Sequence, residues 1–302
     1  MAKAQNIMSG ILILVLIWFV VRGLPKVNWG NFFASEDFMT NGWKGLFSAS
    51  TLLTYSLLGG TGLIVFSAEA KNPKRDIPMA AAISTIVIAI LFALIGIVAS
   101  GILPLDQVAN QTLGVIANHF LTRPEYIVFM VGGALCATAT TLNGMIGSVT
   151  KPLVMLSYDG WLPKTLGDLH PKYKTPYKYL LVYYIITMLP LFLGVDISAV
   201  SDMTLLGSYT QSALFIFFMR SLPDKFPEQW EKSIFHMPKG VFNVVMWICF
   251  IGAVFNVIGQ ITNSDWKTIG FNVAVMVIGV IFSLSWFKTG KVHPSKSYEL
   301  ET

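Results

Sequence analysis

The sequence predicts an all-α membrane protein with eight transmembrane helices, and three observations carry that expectation. Of 302 residues, 54% are hydrophobic and only 12% are charged, against about 25% charged in soluble domains. The Lys, Arg, Asp and Glu residues avoid eight stretches altogether: Ile7–Val21, Leu46–Ala68, Met79–Leu103, Tyr126–Thr150, Tyr179–Val195, Met203–Met219, Val241–Ile261 and Ile269–Phe287. Each is close to the roughly 17–25 residues that carry a helix across the hydrocarbon core of a bilayer. The chain is therefore expected to form a single transmembrane bundle over residues 1–302, in contact with lipid.

The first stretch, Ile7–Val21, is short, and Arg22 extends its reach by snorkelling to the interface. No small-residue cleavage site follows Val21, so it reads as a retained span, not a secretory leader. The second, Leu46–Ala68, has Gly59, Gly60 and Gly62 around Thr61 at its middle. Each glycine weakens a helix by about 1 kcal/mol relative to alanine. The cluster therefore fits either a break in the span or a small-residue face for close packing. The fourth, Tyr126–Thr150, carries Thr138, Thr140, Thr141, Asn143, Ser148 and Thr150 in its second half. Such hydroxyls either bond their own backbone carbonyls or line a polar path. The connecting segments 22–45, 151–178 and 220–240 hold too little apolar surface to fold alone.

The excess of basic residues sets an orientation. With the N-terminus in the cytoplasm, only Arg22, Lys26, Lys44, Arg123 and Lys267 fall outside. The remaining Lys and Arg residues lie on inner segments, as the positive-inside rule requires, and eight spans return the C-terminus to the cytoplasm. The net charge of +5 is thus read as topology, with no nucleic acid partner expected.

Composition and placement exclude several chemistries. Cys136 and Cys249 both lie within apolar stretches, which argues against a disulfide framework or a thiolate metal site. A membrane β-barrel would show alternating segments of about 10 residues, not continuous apolar runs. His119, His170, His236 and His293 fall in loops or the tail, and no carboxylate lies inside a span. Proton relays and pumps place ionisable groups in the membrane. No enzyme, metal or cofactor is expected; binding and moving a small solute needs no missing group.

Two motifs then point to a family. Glu69–Pro78 reads EAKNPKRDIP, directly after the glycine-interrupted stretch. It resembles the E-x-K-N-P-x-R-x-I-P signature of amino acid permeases in the amino acid–polyamine–organocation superfamily. Leu142–Pro176, LNGMIGSVTKPLVMLSYDGWLPKTLGDLHPKYKTP, is similar to that family's eighth helix and the loop after it, where D-G-x-L-P and H-P-K-x-x-T-P recur. In EAKNPKRDIP itself, Pro73 disfavours helix at Asn72, and Asp76 is expected to pair with Lys74 or Arg75, or to cap a helix with Pro78 in its first turn.

The resemblance implies a partial inverted-repeat transporter fold, with these spans as family helices five to twelve. Helices one to four, about 140 residues by the length of four spans and loops, would lie outside this chain, as a missing N-terminal four-helix segment. It implies an amino acid substrate held by unwound backbone in helix six, here Leu58, Gly59, Gly60, Thr61 and Gly62, with Tyr55 and Leu57 shaping the side-chain pocket. Thr140, Thr141 and Asn143 on helix eight are candidates for an ion path, and Lys151 for an intracellular gate. Some antiporters of the family carry an acidic residue where Thr61 stands. Some relatives carry a lysine near the position of Leu12. The coupling species is therefore left open among a proton, sodium and a counter-substrate. The expected setting is a cell membrane, best fitted by a bacterial inner membrane. The chain is expected not to transport by itself; the alternative is a non-transporting scaffold or regulatory subunit, or a split-gene half needing a four-helix partner.

Overall fold

The computed structural model describes residues 2–33, 41–109 and 111–293. Among the described residues every regular element is helical. The main elements in chain order are α1 (Ala2–Gly23), α2 (Gly42–Tyr55), a 3-10 stretch (Leu58–Glu69) and α3 (Pro73–Gly101). They continue with α4 (Leu113–Phe120), α5 (Arg123–Phe129), a π-helical segment (Met130–Leu135) and α6 (Cys136–Tyr158). The last four are α7 (Tyr177–Phe192), α8 (Ile197–Met219), α9 (Lys239–Asn263) and α10 (Trp266–Phe287).

Among the described residues, five helices are long and apolar enough to cross a membrane: Lys3–Lys26, Pro73–Gly101, Arg123–Tyr158, Lys239–Asn263 and Trp266–Phe287. The other three apolar stretches are helical too, for identifiable reasons in weaker form. Leu46–Ala68 is interrupted after Tyr55. Tyr177–Phe192 is a shorter apolar helix. Ile197–Met219 is diluted by Asp202, Thr204, Ser208, Thr210 and Gln211.

Two local expectations are corrected. α3 begins at Pro73, not at Met79, so Pro78 sits in its second turn. Asn72 and Asp76 start the helix early: Asp76 accepts the Asn72 N–H at 3.1 Å, and its own N–H donates to the Asn72 carbonyl at 2.8 Å. Pro73 occupies the first helical position, where the missing donor has no intrahelical role. α6 likewise runs past Thr150 to Tyr158, through Pro152, which places Lys151 two turns before the helix end.

The chain divides into two compact units: Met1–Leu46 with Leu57–Phe66 and Ile77–Ser148, and Phe47–Ser56 with Ser67–Asp76 and Val149–Thr302. The first is built around α1. Phe19 is fully buried, stacked on Phe129 at 5.1 Å and edge-on to Phe120 at 5.2 Å, with Val15, Ile95, Val98 and Ile116 around it. Gly132, in the π-helical segment, allows close backbone approach: a Cβ there would stand 2.7 Å from Val15. The extra residue of a π turn has let this small face meet α1. Arg22 Nε pairs with Glu125 at 3.0 Å, and Lys26 Nζ donates to the Phe120 carbonyl at 2.9 Å. Glu125 also closes a capping box with Thr122 at the start of α5.

In the second unit α8 packs on α9 and α10. Asp196 caps α8 and Asp265 caps α10, the latter accepting the Thr268 N–H at 2.8 Å. Asn272 donates to the Met203 carbonyl at 3.2 Å. Gln260, 1% exposed, donates to Asp202 at 3.3 Å. The Arg220 guanidinium lies 4.0 Å above the Trp247 ring.

Candidate functional site

The glycine cluster lies where α-helix has ended. α2 stops at Tyr55, the Ser56 N–H closes back on the Leu53 carbonyl at 3.1 Å, and residues 58–69 wind as 3-10 helix. A 3-10 run of this length is uncommon, because its hydrogen bonds are poorer than those of an α-helix. Gly59, Gly60 and Gly62 weaken the α alternative, and none of them has left-handed backbone. A Cβ on Gly59 or Gly62 would meet nothing within 4 Å, whereas one on Gly60 would lie 3.6 Å from Ala81 and Thr85. Leu57 is half-buried and Gly59 exposed; the side chains of Leu58 and Thr61 lie outside the described residues.

Tyr55 ends α2 half-buried, its ring edge-on to Tyr209 with centroids 6.3 Å apart. Tyr209 donates its hydroxyl hydrogen to the Thr51 carbonyl. Neither Tyr209 nor Thr51 stood out in the sequence: a tyrosine and a threonine inside apolar stretches carry no periodic signal.

The polar half of α6 resolves residue by residue. Thr140, 8% exposed, donates to the Cys136 carbonyl at 2.8 Å, and Thr138 to Ala134 at 2.9 Å. Ser148 bonds Met145 at 3.1 Å. These hydroxyls take the option of bonding their own helix. Asn143 behaves differently: its amide donates to Gln5 Oε1 at 2.8 Å, and Gln5 donates in turn to the Thr140 carbonyl at 3.2 Å. Thr141 is exposed on the neighbouring face. Gln5 precedes the first apolar stretch, so charge-free length alone did not mark it.

A separate open groove of about 1230 Å³ lies among α7, α8 and α10, lined by Leu214, Phe215, Phe218, Phe271 and Val275 with Ser208 and Gln211. Among the described residues no three His, Cys, Asp or Glu side chains cluster as a metal site.

The decisive comparison is with known families: the amino acid permease family matches residues 1–283. The chain belongs to the amino acid permease family. This permease chain is 28% identical over 176 residues to the branched-chain amino acid permease BcaP of Bacillus subtilis, covering 58% of this chain and 37% of that protein. It is 23% identical over 228 residues to the vacuolar cationic amino acid transporter 2 of Arabidopsis thaliana, covering 73% and 35% respectively. Cationic amino acid transporter 4 of Homo sapiens is 26% identical over 228 residues, covering 72% and 35%. The permease chain thus spans little more than a third of the length of these relatives, which are transporters and not enzymes by name. Family and apolar helices together make it a membrane protein.

Proposed function

We propose that this chain is part of an amino acid carrier that works by alternating access, with the break from Tyr55 to Gly62 as its half of the substrate site. The observation that supports the reading is the loss of α-helix after Tyr55 in an apolar stretch. Backbone that leaves the α-helix in a bilayer is tolerated where it lines a cavity or is covered by protein. The 3-10 bonds there are poorer than those of an α-helix, and each carbonyl keeps a second lone pair that an α-ammonium can use. Gly59, Gly60 and Gly62 let a ligand approach the chain closely; Leu58 and Thr61 lie within the same run, and Tyr55 and Leu57 bound the side-chain pocket.

In this proposal eight spans lie in the membrane with both termini cytoplasmic, in keeping with the basic residues on the inner segments. Thr140, Thr141 and Asn143 border the ion path and Lys151 gates the inner side. A proton, sodium or a counter-substrate drives the cycle. The remaining wall comes from a further four-helix segment, on the same polypeptide or a separate one, and the setting is a bacterial inner membrane. The names of the relatives suggest branched-chain and cationic amino acids as first probes.

Uptake of labelled leucine and arginine into vesicles tests this directly. Vesicles holding this chain together with the four-helix segment are expected to accumulate one of them. Vesicles holding the chain alone are not. Accumulation by the chain alone would show that it needs no further wall, and no accumulation by the pair would remove the carrier reading.

A further inference from the structure

We propose that Tyr209 is a positioning residue for the substrate-holding break: its hydroxyl pins the last turn of α2 and so sets where Tyr55 and the following chain leave the helix. The proposal rests on the reading of Tyr55–Gly62 as the substrate segment.

Tyr209 is 2% exposed in the middle of α8, and its partner Thr51 is fully buried. A buried phenolic hydroxyl requires an acceptor, and the one it has is the Thr51 carbonyl at the base of the last turn of α2. A carbonyl has two lone pairs, so a side chain that donates here adds a bond beyond the one the helix itself supplies and holds the turn in place. The rest of the seat is shaped to the same purpose. Phe47, one turn before Thr51, meets Phe255 of α9 edge-on at 4.0 Å. Gly259 of α9 has no Cβ because one would collide with Thr51 Oγ1 and sit 3.0 Å from the Phe47 ring. The Tyr55 ring stands at 82° to that of Tyr209, so the same residue that holds the backbone also flanks the aromatic at its end.

The α2 end is therefore held by contacts from both α8 and α9. A phenylalanine at position 209 would fill the same volume and keep the ring contact. What it lacks is the hydroxyl, which makes Tyr209→Phe the substitution that separates positioning from packing.

The reporter is Ser56→Cys, the exposed residue immediately after α2, in full-length chain with Cys136→Ala and Cys249→Ala, held in lipid nanodiscs. Tyr209→Phe is expected to speed methanethiosulfonate labelling of Cys at position 56 by about 3- to 10-fold, the range of one net hydrogen bond, with the thermal midpoint unchanged. Tyr184→Phe, an exposed position on α7, is expected to leave the rate alone. Should Tyr209→Phe not fold, Gly259→Ala, which pushes on Thr51 from the other side, is expected to give the same acceleration. An unchanged rate in the folded variant overturns the proposal whatever the chain binds. Leucine and arginine binding, measured on the same variants reconstituted together with the four-helix segment, tests the underlying reading separately. Faster labelling alongside a parent pair that binds neither would uphold the clamp and remove the substrate assignment.

Discussion

Asn143 of α6 and Gln5 of α1 are joined by a 2.8 Å amide-to-amide hydrogen bond, and Gln5 bonds the Thr140 carbonyl with its other end. Two helices far apart in sequence are thus locked in register by one polar side chain from each. Interhelical bonds of this kind contribute about 0.6 kcal/mol on average in a membrane and up to about 1.7. A double-mutant cycle of Gln5→Leu and Asn143→Leu, followed by denaturant unfolding in micelles, is expected to give a coupling within that range. Strict additivity would mean that the two side chains act independently.

The glycine run makes a second, opposite prediction. Because alanine at Gly59 and Gly62 meets open space and neither backbone is left-handed, Gly59→Ala with Gly62→Ala is expected not to destabilise the chain. The pair should raise helicity, since each substitution favours α-helix by about 1 kcal/mol. Ligand binding should weaken at least about tenfold, the equivalent of roughly 1.4 kcal/mol. Circular dichroism of the chain, and equilibrium binding by the chain reconstituted with the four-helix segment, check the two halves. Undiminished binding would count against the break as the substrate segment.

Gly160 is held in left-handed backbone at φ 84°, with the Lys291 carbonyl where its Cβ would go. Trp286 Nε1 donates to the Gly160 carbonyl at 2.8 Å, and the His293 N–H donates to the Asp159 carbonyl at 2.9 Å. Gly160→Ala is expected to lose about 1–3 kcal/mol through backbone strain and to expose the chain near Lys291 to trypsin. Trypsin digestion with mass-mapped fragments reads the second effect; an unaltered cleavage pattern would show that the strap tolerates a methyl group.

Acid should act on the start of α10. The Thr268 hydroxyl and N–H hold the Asp265 carboxyl below the usual carboxylate range. A group whose folded value is depressed adds stability above its unfolded pKa of about 4, and that contribution disappears as pH falls through the folded value. Asp265→Asn is expected to flatten the acid limb of the thermal midpoint measured from pH 6 to pH 3, leaving the slope above pH 5 unaltered. An identical acid limb in both proteins would place the titration elsewhere.

What the sequence determined by itself was the helical membrane class and the family. Charge-free length marks a span because burying an ionised group in hydrocarbon is costly wherever it sits, and the EAKNPKRDIP motif is contiguous. Three glycines within four residues weaken a helix locally, which left a break and a close-packing face both open near Gly59. Only the tertiary structure decided where that helix stops, at Tyr55, and which residues hold it there. Tyr209, Gly259 and Gln5 matter through contacts spanning 135 residues or more, except for the glycine, which matters through a side chain it lacks. The hydroxyls of α6 made the same point in reverse: their spacing fitted a polar path, yet Thr138, Thr140 and Ser148 bond their own helix. A hydrogen bond is a matter of angle and distance, and composition sets only which groups are available to make one.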